Sequence, residues 1–295
     1  MKAVVLREVG GDLALEEWPE PVGSVVDVRA AGVNFADVLV RRGMYPQMPD
    51  LPHVLGNEVA GDLDGRRVLA LPRAAGGYAE RVEVDPQWTF TLPDNASYAA
   101  GASFLTTYLT AYIPLMHVMQ SDSVLVHAGS GGVGSAAIQL AKLAGSTVYA
   151  TASSEEKREV ARSAGADHVM DYDEIDDLRV DVVIDPVGGD VFTRSLALLN
   201  PLGTIVAIGF AGGMWNDPSV QWLVGRNASV MGFYLGRLMK LQPEAVRNYA
   251  NDLLAQWAAG LIDPLVGATF PLGDADGAHG LIESRKHVGK VVLEP

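Results

Sequence analysis

The chain has 295 residues, of which 48% are hydrophobic and 20% are charged, so it can bury a large core and is long enough for two domains. Its 36 acidic and 22 basic residues give a formal net charge of −14, which argues against a general binder of nucleic acid or of an anionic membrane. The absence of cysteine excludes disulfides, thiol catalysis and thiolate metal sites.

Short fragments rich in β-branched and apolar residues predict strands over the first third of the chain, at residues 3–6, 25–30, 68–71 and 78–84. Gly, Pro, Asp and Asn separate these fragments, so we expect a twisted, partly antiparallel sheet or a barrel. A helix is predicted over residues 99–118, with a kink at Pro114. No apolar run reaches the ~18–20 residues of a membrane span, and the first residues do not resemble a signal sequence. We therefore expect a cytoplasmic protein.

The middle of the chain alternates predicted strands with predicted helices, which is the pattern of βαβ units and a parallel sheet. Strands are predicted at residues 123–127, 146–151, 167–170, 180–185, 203–209 and 229–234, and helices at residues 132–144, 154–164 and 190–199. Residues 288–293 return to strand-like sequence that could pair with the first sheet. A parallel-sheet domain over residues 115–261 is thus predicted as an insertion in a β-rich domain over residues 1–114 and 262–295.

A glycine motif, Gly129-Ser-Gly131-Gly-Val-Gly134, follows the first of these middle strands and opens the next helix. In a dinucleotide-binding unit the first glycine makes the tight turn, the second lets a pyrophosphate approach the backbone, and the third lets the helix pack close to the strand. The N–H groups at the helix start accept the negative charge. The residues predicted to hold the pyrophosphate are Ser130, Gly131, Gly132, Val133 and Gly134. A glycine-rich turn without a ligand is the alternative.

The end of the second middle strand indicates which nucleotide the motif binds. An NAD enzyme, like a methyltransferase that binds an adenosyl sulfonium, would place an acidic residue there for the ribose hydroxyls, whereas residues 149–154 contain none. Ser153, followed by Lys157 and Arg158, suits a 2′-phosphate, which predicts NADPH as the cofactor. Lys157 is alternatively an ordinary surface residue, and residues 153–156 also predict a helix N-cap with a capping box.

Three further strand ends of the predicted parallel sheet carry glycine or aromatic residues. Ligands of such sheets bind outside the carboxyl ends of the strands, and glycines there allow a flat cofactor to lie against the backbone. One of these ends is residues 185–189. The cofactor contacts predicted at the other two are Gly209, Phe210, Phe233, Tyr234 and Leu235. Phe233 and Tyr234 are alternatively core aromatics.

The order of these parts resembles the zinc-independent quinone oxidoreductases (zeta-crystallin-like) of the medium-chain dehydrogenase/reductase superfamily, over essentially the whole chain. The resemblance rests on residues 30–37 (AAGVNFAD), 42–46 (RGMYP), 55–61 (LGNEVAG), 109–112 (LTAY), 124–134 (VLVHAGSGGVG), 153–157 (SSEEK), 165–169 (GADHV) and 289–293 (GKVVL). It implies an α/β fold in which a Rossmann doubly wound parallel sheet is inserted in a GroES-like β-rich catalytic domain.

In the related zinc alcohol dehydrogenases a cysteine ligand sits at the position of Asn34 and a histidine ligand at that of Asn57. Neutral amides are poor ligands of Zn²⁺. The resemblance therefore implies zinc-independent hydride transfer to a small electrophilic substrate, a quinone or an α,β-unsaturated carbonyl compound. The six histidines show no metal-ligand spacing, and His127 is expected to be packed core.

The resemblance also assigns residues around the cofactor. Asn34 would contact the nicotinamide side of the pocket, and it is alternatively the cap of a helix that starts near residue 36. Tyr45 would lie at the mouth of the pocket near the ribose and could donate a proton, a role that water could also fill. Thr110 matches a cofactor contact, Tyr172 matches a residue near the adenosine phosphate, and Lys290 matches a basic residue that reaches the cofactor from the last strand.

The substrate, the proton donor and the oligomeric state stay open at this point. Residues 61–68 lack a longer hairpin of the relatives, which could open the pocket and widen the substrate scope. An enoyl-thioester reductase is one alternative, with Arg41, Arg42 and Arg73 as the nearby cations. A low-turnover NADPH-binding regulatory protein is another, although the acidic charge counts against RNA as its partner. We expect a homodimer formed through the edge strand at residues 229–234.

Overall fold

The computed structural model describes residues 1–118 and 121–295. The chain divides into two compact units, which we call unit 1 (Met1–Thr106 with Leu254–Pro295) and unit 2 (Thr107–Leu253). Unit 2 thus interrupts the chain of unit 1. The domain bounds given above from the sequence stay a prediction.

The N-terminal segment of unit 1 consists mainly of short strands in which apolar and polar residues alternate. Its elements are β1 (Lys2–Leu6), β2 (Leu13–Glu17), β3 (Val25–Val33), α1 (Phe35–Arg41), β4 (His53–Val54), β5 (Val59–Leu63), β6 (Arg66–Pro72), β7 (Arg81–Thr91) and α2 (Tyr98–Gly101).

The chain continues through α3 (Leu105–His117) and then alternates strands with helices. The elements of this stretch are β8 (Ser123–Val126), α4 (Gly132–Leu143), β9 (Thr147–Thr151), α5 (Glu155–Ser163), β10 (His168–Met170), β11 (Val180–Asp185), α6 (Gly189–Leu196), β12 (Leu199–Ala207), α7 (Val220–Arg226), β13 (Ser229–Gly232), α8 (Leu235–Leu241) and α9 (Pro243–Ala258). The last segment, in unit 1, contains β14 (Val266–Pro271), α10 (Ala275–Glu283) and β15 (Lys290–Glu294).

Unit 1 holds two sheets. The smaller has the strand order β2-β1-β4, and the larger has the order β14-β15-β3-β5-β6-β7. Because β3 also pairs with β7, the antiparallel strands β3, β5, β6 and β7 close on themselves as a small barrel. The last strand returns to this sheet, as predicted, since β15 pairs antiparallel with β3.

Unit 2 is built on a six-stranded sheet with the order β10-β9-β8-β11-β12-β13, and every neighbouring pair in it is parallel. The predicted parallel sheet is therefore confirmed. The chain moves outward from β8 to β10 and then returns to β11, so the direction of strand order reverses between β8 and β11. Ligands of doubly wound sheets bind at the carboxyl ends of the strands beside such a reversal.

Several predicted element bounds are wrong. The strand predicted over 203–209 begins four residues earlier and ends at Ala207. The strand predicted over 78–84 begins only at Arg81, because the preceding residues bond to β1: Val4 N donates to Tyr78 O at 2.8 Å, and Glu80 N donates to Lys2 O at 3.0 Å. The helix predicted over 190–199 ends at Leu196, since Leu199 pairs with Val180 in the sheet.

The helix predicted over 99–118 is two helices, α2 and α3. The break lies at residues 102–104 and not at Pro114, which lies inside α3. Ser103 Oγ donates to Ala99 O at 2.7 Å and competes for the carbonyl that a continuing helix would use. β14 was missed by the sequence reading. Within the two described ranges, no helix is both long and apolar enough to cross a membrane.

Candidate functional site

The glycine motif forms a tight turn between β8 and α4. Gly131 is the N-cap of α4, and Gly134 lies in its first turn. A Cβ added at Gly134 would lie 2.1 Å from Ala128 O, so this position must be glycine for the helix to pack on the turn. At Gly131 an added Cβ would meet only Ala128 O, at 3.4 Å, so the packing of the chain itself does not demand glycine at this position. The remaining predicted residues, Ser130, Gly132 and Val133, lie in the same turn and helix start.

The tight turn is made by a residue other than the one expected. Ala128, and not Gly129, has the positive φ of 50°. A Cβ at Gly129 would lie 3.0 Å from both Ala150 Cβ and Ile138 Cδ1, so Gly129 is needed for close packing against β9 and α4. The role assigned to the first glycine is therefore wrong, while the contact that demands glycine at position 134 is present.

Tyr172 lies against this turn. Its hydroxyl oxygen accepts a hydrogen bond from Ala128 N at 3.1 Å, and its ring lies 5.8 Å from the His127 ring at 20°. His127 is fully buried, as expected, with its ring nitrogens 2.8 Å from Thr151 Oγ1 and 2.7 Å from Ser195 Oγ. Burial lowers the pKa of His127 to about 3, so the imidazole is neutral.

The end of β9 carries the predicted 2′-phosphate residues. Ser153 is exposed and Lys157 is half-buried, and burial lowers the pKa of the Lys157 ammonium. The N-cap of α5 is Ser154, whose Oγ accepts from Lys157 N at 3.3 Å. The predicted capping box does not form, because the residue three positions after this cap is Lys157 and not a glutamate. Arg158 is held by Glu155 at 2.9 Å and by Asp171.

The other predicted contacts of unit 2 follow the neighbouring strands. Gly209 and Phe210 come after β12, and the Phe210 ring packs against Trp215 with centroids 4.8 Å apart. Phe233, Tyr234 and Leu235 come after β13, where Tyr234 is 44% exposed and Leu235 is buried. Thr110 is half-buried on α3.

Asp185 was not predicted as a site residue. It is fully buried at the end of β11, and its Oδ1 accepts from Val187 N at 2.7 Å and from Gly188 N at 3.1 Å. Burial raises its pKa, and the two backbone bonds oppose that rise. An acid followed by a Pro-x-Gly-Gly turn was the available signal. Asp185 orders the turn that follows β11.

Unit 1 contains a buried carboxylate, Asp37, that sequence reading missed. Its two oxygens accept from Asn34 N at 2.8 Å, Asn57 Nδ2 at 2.9 Å, Gly56 N at 3.3 Å and the Tyr78 hydroxyl at 3.2 Å. Burial raises the pKa of Asp37 to about 6, and the backbone bonds from Asn34 and Gly56 oppose the rise. The spacing of Asn34 and Asp37, three residues apart at a helix start, was a signal for this arrangement.

The Tyr78 hydroxyl also lies 3.2 Å from Nε2 of His279, which is fully buried on α10 and was likewise missed. Burial lowers the pKa of His279 to about 4 and raises that of Tyr78 well above 10, so both groups are neutral in the fold. Asp37, Tyr78 and His279 thus join α1, the stretch before β7 and α10 through one line of buried polar groups.

A second cluster surrounds the side chain of Asn34. Lys290 Nζ donates to Asn34 Oδ1 at 2.5 Å and also to Glu58 Oε1, while Asn34 Nδ2 donates to Glu58 Oε1 at 3.0 Å. Glu58 is 1% exposed and Lys290 is 4% exposed. Asn34 is the N-cap of α1 by position, as the alternative reading held, but its carboxamide is bound to Glu58 and Lys290. The ammonium that the resemblance directed at the cofactor is therefore tied to a carboxylate.

In unit 1 the structure joins Asn34 to Lys290 directly and to Asn57 through Asp37. In unit 2 it places Tyr172 against the turn, and Lys157 lies on α5, which follows the carboxyl end of the neighbouring strand β9. Tyr45 is half-buried against the core of unit 1. In the part of the chain that the structure describes, no three His, Cys, Asp or Glu side chains are grouped as metal ligands would be.

The two units match two known domain families. Residues 20–94 match the alcohol dehydrogenase GroES-like domain, and residues 132–256 match the zinc-binding dehydrogenase domain. A GroES-like domain joined to a parallel-sheet domain with a glycine-rich phosphate turn defines the class of medium-chain dehydrogenases and reductases.

Individual similar proteins identify the family within this class. The chain is 34% identical to the rat synaptic vesicle membrane protein VAT-1 homolog, over 96% of this chain and 79% of that protein. It is 30% identical to the quinone oxidoreductase of Pongo abelii, over 99% of this chain and 97% of that protein. The quinone oxidoreductase of Thermus thermophilus, which was also solved with NADPH, superposes with a TM-score of 0.93 at 36% identity over the whole of both chains. The chain belongs to the zinc-independent quinone oxidoreductase-like family of the medium-chain dehydrogenase/reductase superfamily.

Asp37→Asn tests the buried carboxylate of unit 1. The pKa of Asp37, about 6 in the fold against an ordinary 3.8, makes its charged form costly. The contribution of Asp37 to stability is fully present below its pKa in the unfolded chain. It is lost as the pH rises towards its pKa in the fold, by about 1.4 kcal/mol per pH unit between the two pKa values. We expect the free energy of unfolding of wild type minus that of the variant to fall over this range.

Urea unfolding of both proteins between about pH 4 and pH 7 measures this difference. Asp50→Asn, which removes an exposed carboxylate of the same unit, is the matched control. A difference between wild type and Asp37→Asn that does not change with pH would contradict the raised pKa.

Proposed function

We propose that the chain is an NADPH-dependent oxidoreductase that transfers a hydride, without zinc, to a quinone or an α,β-unsaturated carbonyl compound. The observation that carries the proposal is the hydrogen bonding of the Asn34 and Asn57 side chains, which occupy the positions of zinc ligands in related enzymes. Both are amides whose side chains are hydrogen-bonded to Glu58, Lys290 and Asp37. The NADPH complex of the Thermus thermophilus relative supports the choice of cofactor.

The residues of unit 2 fit the phosphates of NADPH. The partly exposed backbone at Gly131 and the N–H groups at the start of α4 would hold the pyrophosphate, where the helix dipole favours negative charge. Ser153 and Lys157 would hold the 2′-phosphate, and the turn after β9 carries no acid that would repel it. NADPH supplies the hydride when it is bound.

The residues of unit 1 fit the acceptor rather than a metal. Lys290 fixes the Asn34 carboxamide oxygen and Glu58 accepts one Nδ2 hydrogen, so the amide is held in one orientation. Its second Nδ2 hydrogen can donate to a carbonyl oxygen on which negative charge develops during hydride transfer. An acceptor that is already conjugated needs only this positioning, because its own π system delocalises the added charge. Lys290 thus acts on Asn34, and Tyr45 stays a candidate for protonating the product.

Assays of NADPH oxidation with a naphthoquinone, a 2-alkenal and an enoyl thioester, run in parallel, test the acceptor class. We expect turnover with the quinone or the alkenal and unchanged rates after treatment with a metal chelator. Turnover with the thioester alone would favour the enoyl-thioester reductase. Tight NADPH binding without turnover on any acceptor would favour a regulatory protein, and activity that is lost on chelation and restored by zinc would overturn the role given to Asn34 and Asn57.

Lys157→Ala tests the choice between NADPH and NADH. Loss of the ammonium should raise the Kd for NADPH by about tenfold or more and leave the Kd for NADH nearly unchanged, because only NADPH carries the 2′-phosphate. Fluorescence titration measures both constants. The matched control is Lys142→Ala in α4, where the removed ammonium is paired with Asp167 at 2.8 Å. Equal losses for both nucleotides would assign Lys157 to the stability of α5.

We further propose that two copies pair through β13. This strand is at one edge of the parallel sheet, and the preceding helix α7 exposes Val220 and Val224, each 72% exposed. Folded proteins usually cover a strand edge that lies near apolar side chains. Sedimentation equilibrium should show a dimer for wild type and a monomer for the double variant Val220→Lys with Val224→Lys. A monomeric wild type would contradict the pairing.

A further inference from the structure

The chain segments that follow β11 and β12 are hydrogen-bonded to each other, backbone to backbone. We call residues 185–189 the β11 loop and residues 208–214 the β12 loop. Their bonds continue the pairing of the two strands, whose last pair is Asp185 with Ala207, into the loops. The bonds run from Ile208 N to Asp185 O at 3.0 Å, from Ala211 N to Pro186 O at 3.1 Å, from Gly212 N to Val187 O at 2.6 Å and from Gly189 N to Met214 O at 3.3 Å.

The two loops approach so closely that glycine is required where they meet. A Cβ added at Gly212 would lie 2.7 Å from Val187 O, and one added at Gly209 would lie 2.9 Å from Pro186 O. Both distances are shorter than the contacts that Cβ atoms make in proteins, so an added side chain would push the loops apart. The position of the β12 loop therefore depends on where the β11 loop holds its carbonyl groups.

One buried carboxylate fixes the conformation of the β11 loop. Asp185 is fully buried, and its Oδ1 accepts from Val187 N at 2.7 Å and from Gly188 N at 3.1 Å. Successive N–H groups that converge on one oxygen form an anion-binding concavity, and here the anion is a side chain of the same loop. Gly188 is itself buried, so its N–H would be left unpaired without the carboxylate, which costs free energy.

The position of the two loops in the sheet indicates which half of the cofactor they would meet. A doubly wound sheet binds a dinucleotide across the reversal of strand order, with one mononucleotide on each half of the sheet. The proposed 2′-phosphate residues, Ser153 and Lys157, follow β9 on one side of β8, whereas β11 and β12 lie on the other side. The adenosine half of the cofactor would thus lie at the end of β9, and the nicotinamide half at the ends of β11 and β12.

We propose that Asp185 is a positioning residue, which holds the β11 loop and through it the β12 loop, so that Gly209 and Phe210 form a preformed support for the nicotinamide half of the cofactor. Asp185 acts on the cofactor through the carbonyl groups of the β11 loop. The inference rests on the proposed binding of NADPH. It differs from the role given to Lys157, because NADPH and NADH share the nicotinamide half and differ only in the 2′-phosphate.

Asp185→Ala, which removes the carboxylate, tests this role with whole nucleotides and with a fragment. We expect the Kd for NADPH and the Kd for NADH to rise by the same factor of about ten, equivalent to about 1.4 kcal/mol. The Kd for adenosine 2′,5′-bisphosphate, which has only the adenosine half, should stay within about twofold, because its site is separate from the two loops. The value of kcat should fall, since a loosely held nicotinamide spends less time in the geometry for hydride transfer.

The matched control is Asp190→Ala, which removes an exposed carboxylate from the first turn of α6. It should leave the three Kd values and kcat unchanged. An equal loss of affinity for all three ligands in Asp185→Ala would assign Asp185 to the stability of unit 2 and overturn the proposal. Unchanged binding of NADPH and NADH in that variant would overturn it as well.

Two further variants separate the positioning of the loops from the loss of a buried charge. Asp185→Asn keeps an oxygen at the place of Oδ1, so Val187 N and Gly188 N keep their acceptor, and we expect its Kd values within about threefold of wild type. Gly212→Ala leaves Asp185 intact and pushes the loops apart from the other side, so it should reproduce the ligand pattern of Asp185→Ala. Its control is Gly225→Ala in α7, where an added Cβ meets nothing within 4 Å.

Gly212→Ala decides the question even if Asp185→Ala does not fold. Normal affinity of Gly212→Ala for NADPH and NADH would contradict the coupling of the two loops. Equal losses in Asp185→Asn and Asp185→Ala would show that the charge matters and the hydrogen bonds to the β11 loop do not, which would also overturn the proposal.

Amide hydrogen exchange without nucleotide gives a readout that does not need cofactor binding. In Asp185→Ala, a peptide covering the β12 loop should exchange at least several-fold faster than in wild type, while peptides of β9 should not change. Unchanged exchange in the β12 loop would overturn the positioning role. If wild type bound neither nucleotide, the proposed function would fail, and this measurement would still decide whether Asp185 holds the β12 loop.

Discussion

The pairing of buried polar groups is the constraint on which both candidate sites depend, because a polar group removed from water costs free energy unless another group replaces the water. In unit 1 the buried carboxylate of Asp37 accepts hydrogen bonds from the backbone of Asn34 and Gly56 and from the side chains of Asn57 and Tyr78. One buried group therefore fixes the start of α1, the loop after β4 and the start of the stretch before β7. The same carboxylate holds Asn34 by its backbone N–H and Asn57 by its carboxamide.

The same constraint shapes the phosphate turn of unit 2. Ala128 N donates to the Tyr172 hydroxyl, His127 is hydrogen-bonded to Thr151 and Ser195 beside it, and Gly134 packs against Ala128 O with no room for a side chain. The backbone that meets a pyrophosphate is consequently ordered by contacts that exist without a ligand. Preorganisation of this kind reduces the conformational entropy lost on binding, so more of the interaction free energy appears as affinity.

An acidic chain with a net charge of −14 is an unusual host for an anionic cofactor. Lys290 does not resolve the conflict, because its ammonium is paired with Glu58, and Arg158 is held by Glu155 and Asp171. The positive potential must come largely from the N–H groups at the start of α4. Oriented backbone dipoles attract a phosphate at close range and add nothing to the net charge, so the rest of the surface can stay acidic.

The number of residues that separate two interacting groups in the sequence decides whether their interaction can be predicted from it. The parallel sheet and the Gly134 contact follow from local periodicity and from residues six apart, and both were predicted. The partners Tyr78 and His279 are 201 residues apart, and Lys290 and Glu58 are 232 apart, so no local pattern joins them. Lys290 was recognised by resemblance as a cofactor contact, and in the fold its ammonium is bound to Glu58 and Asn34. A lone charged residue in a sequence therefore indicates a site only when its partner is known, and that partner is chosen by the fold.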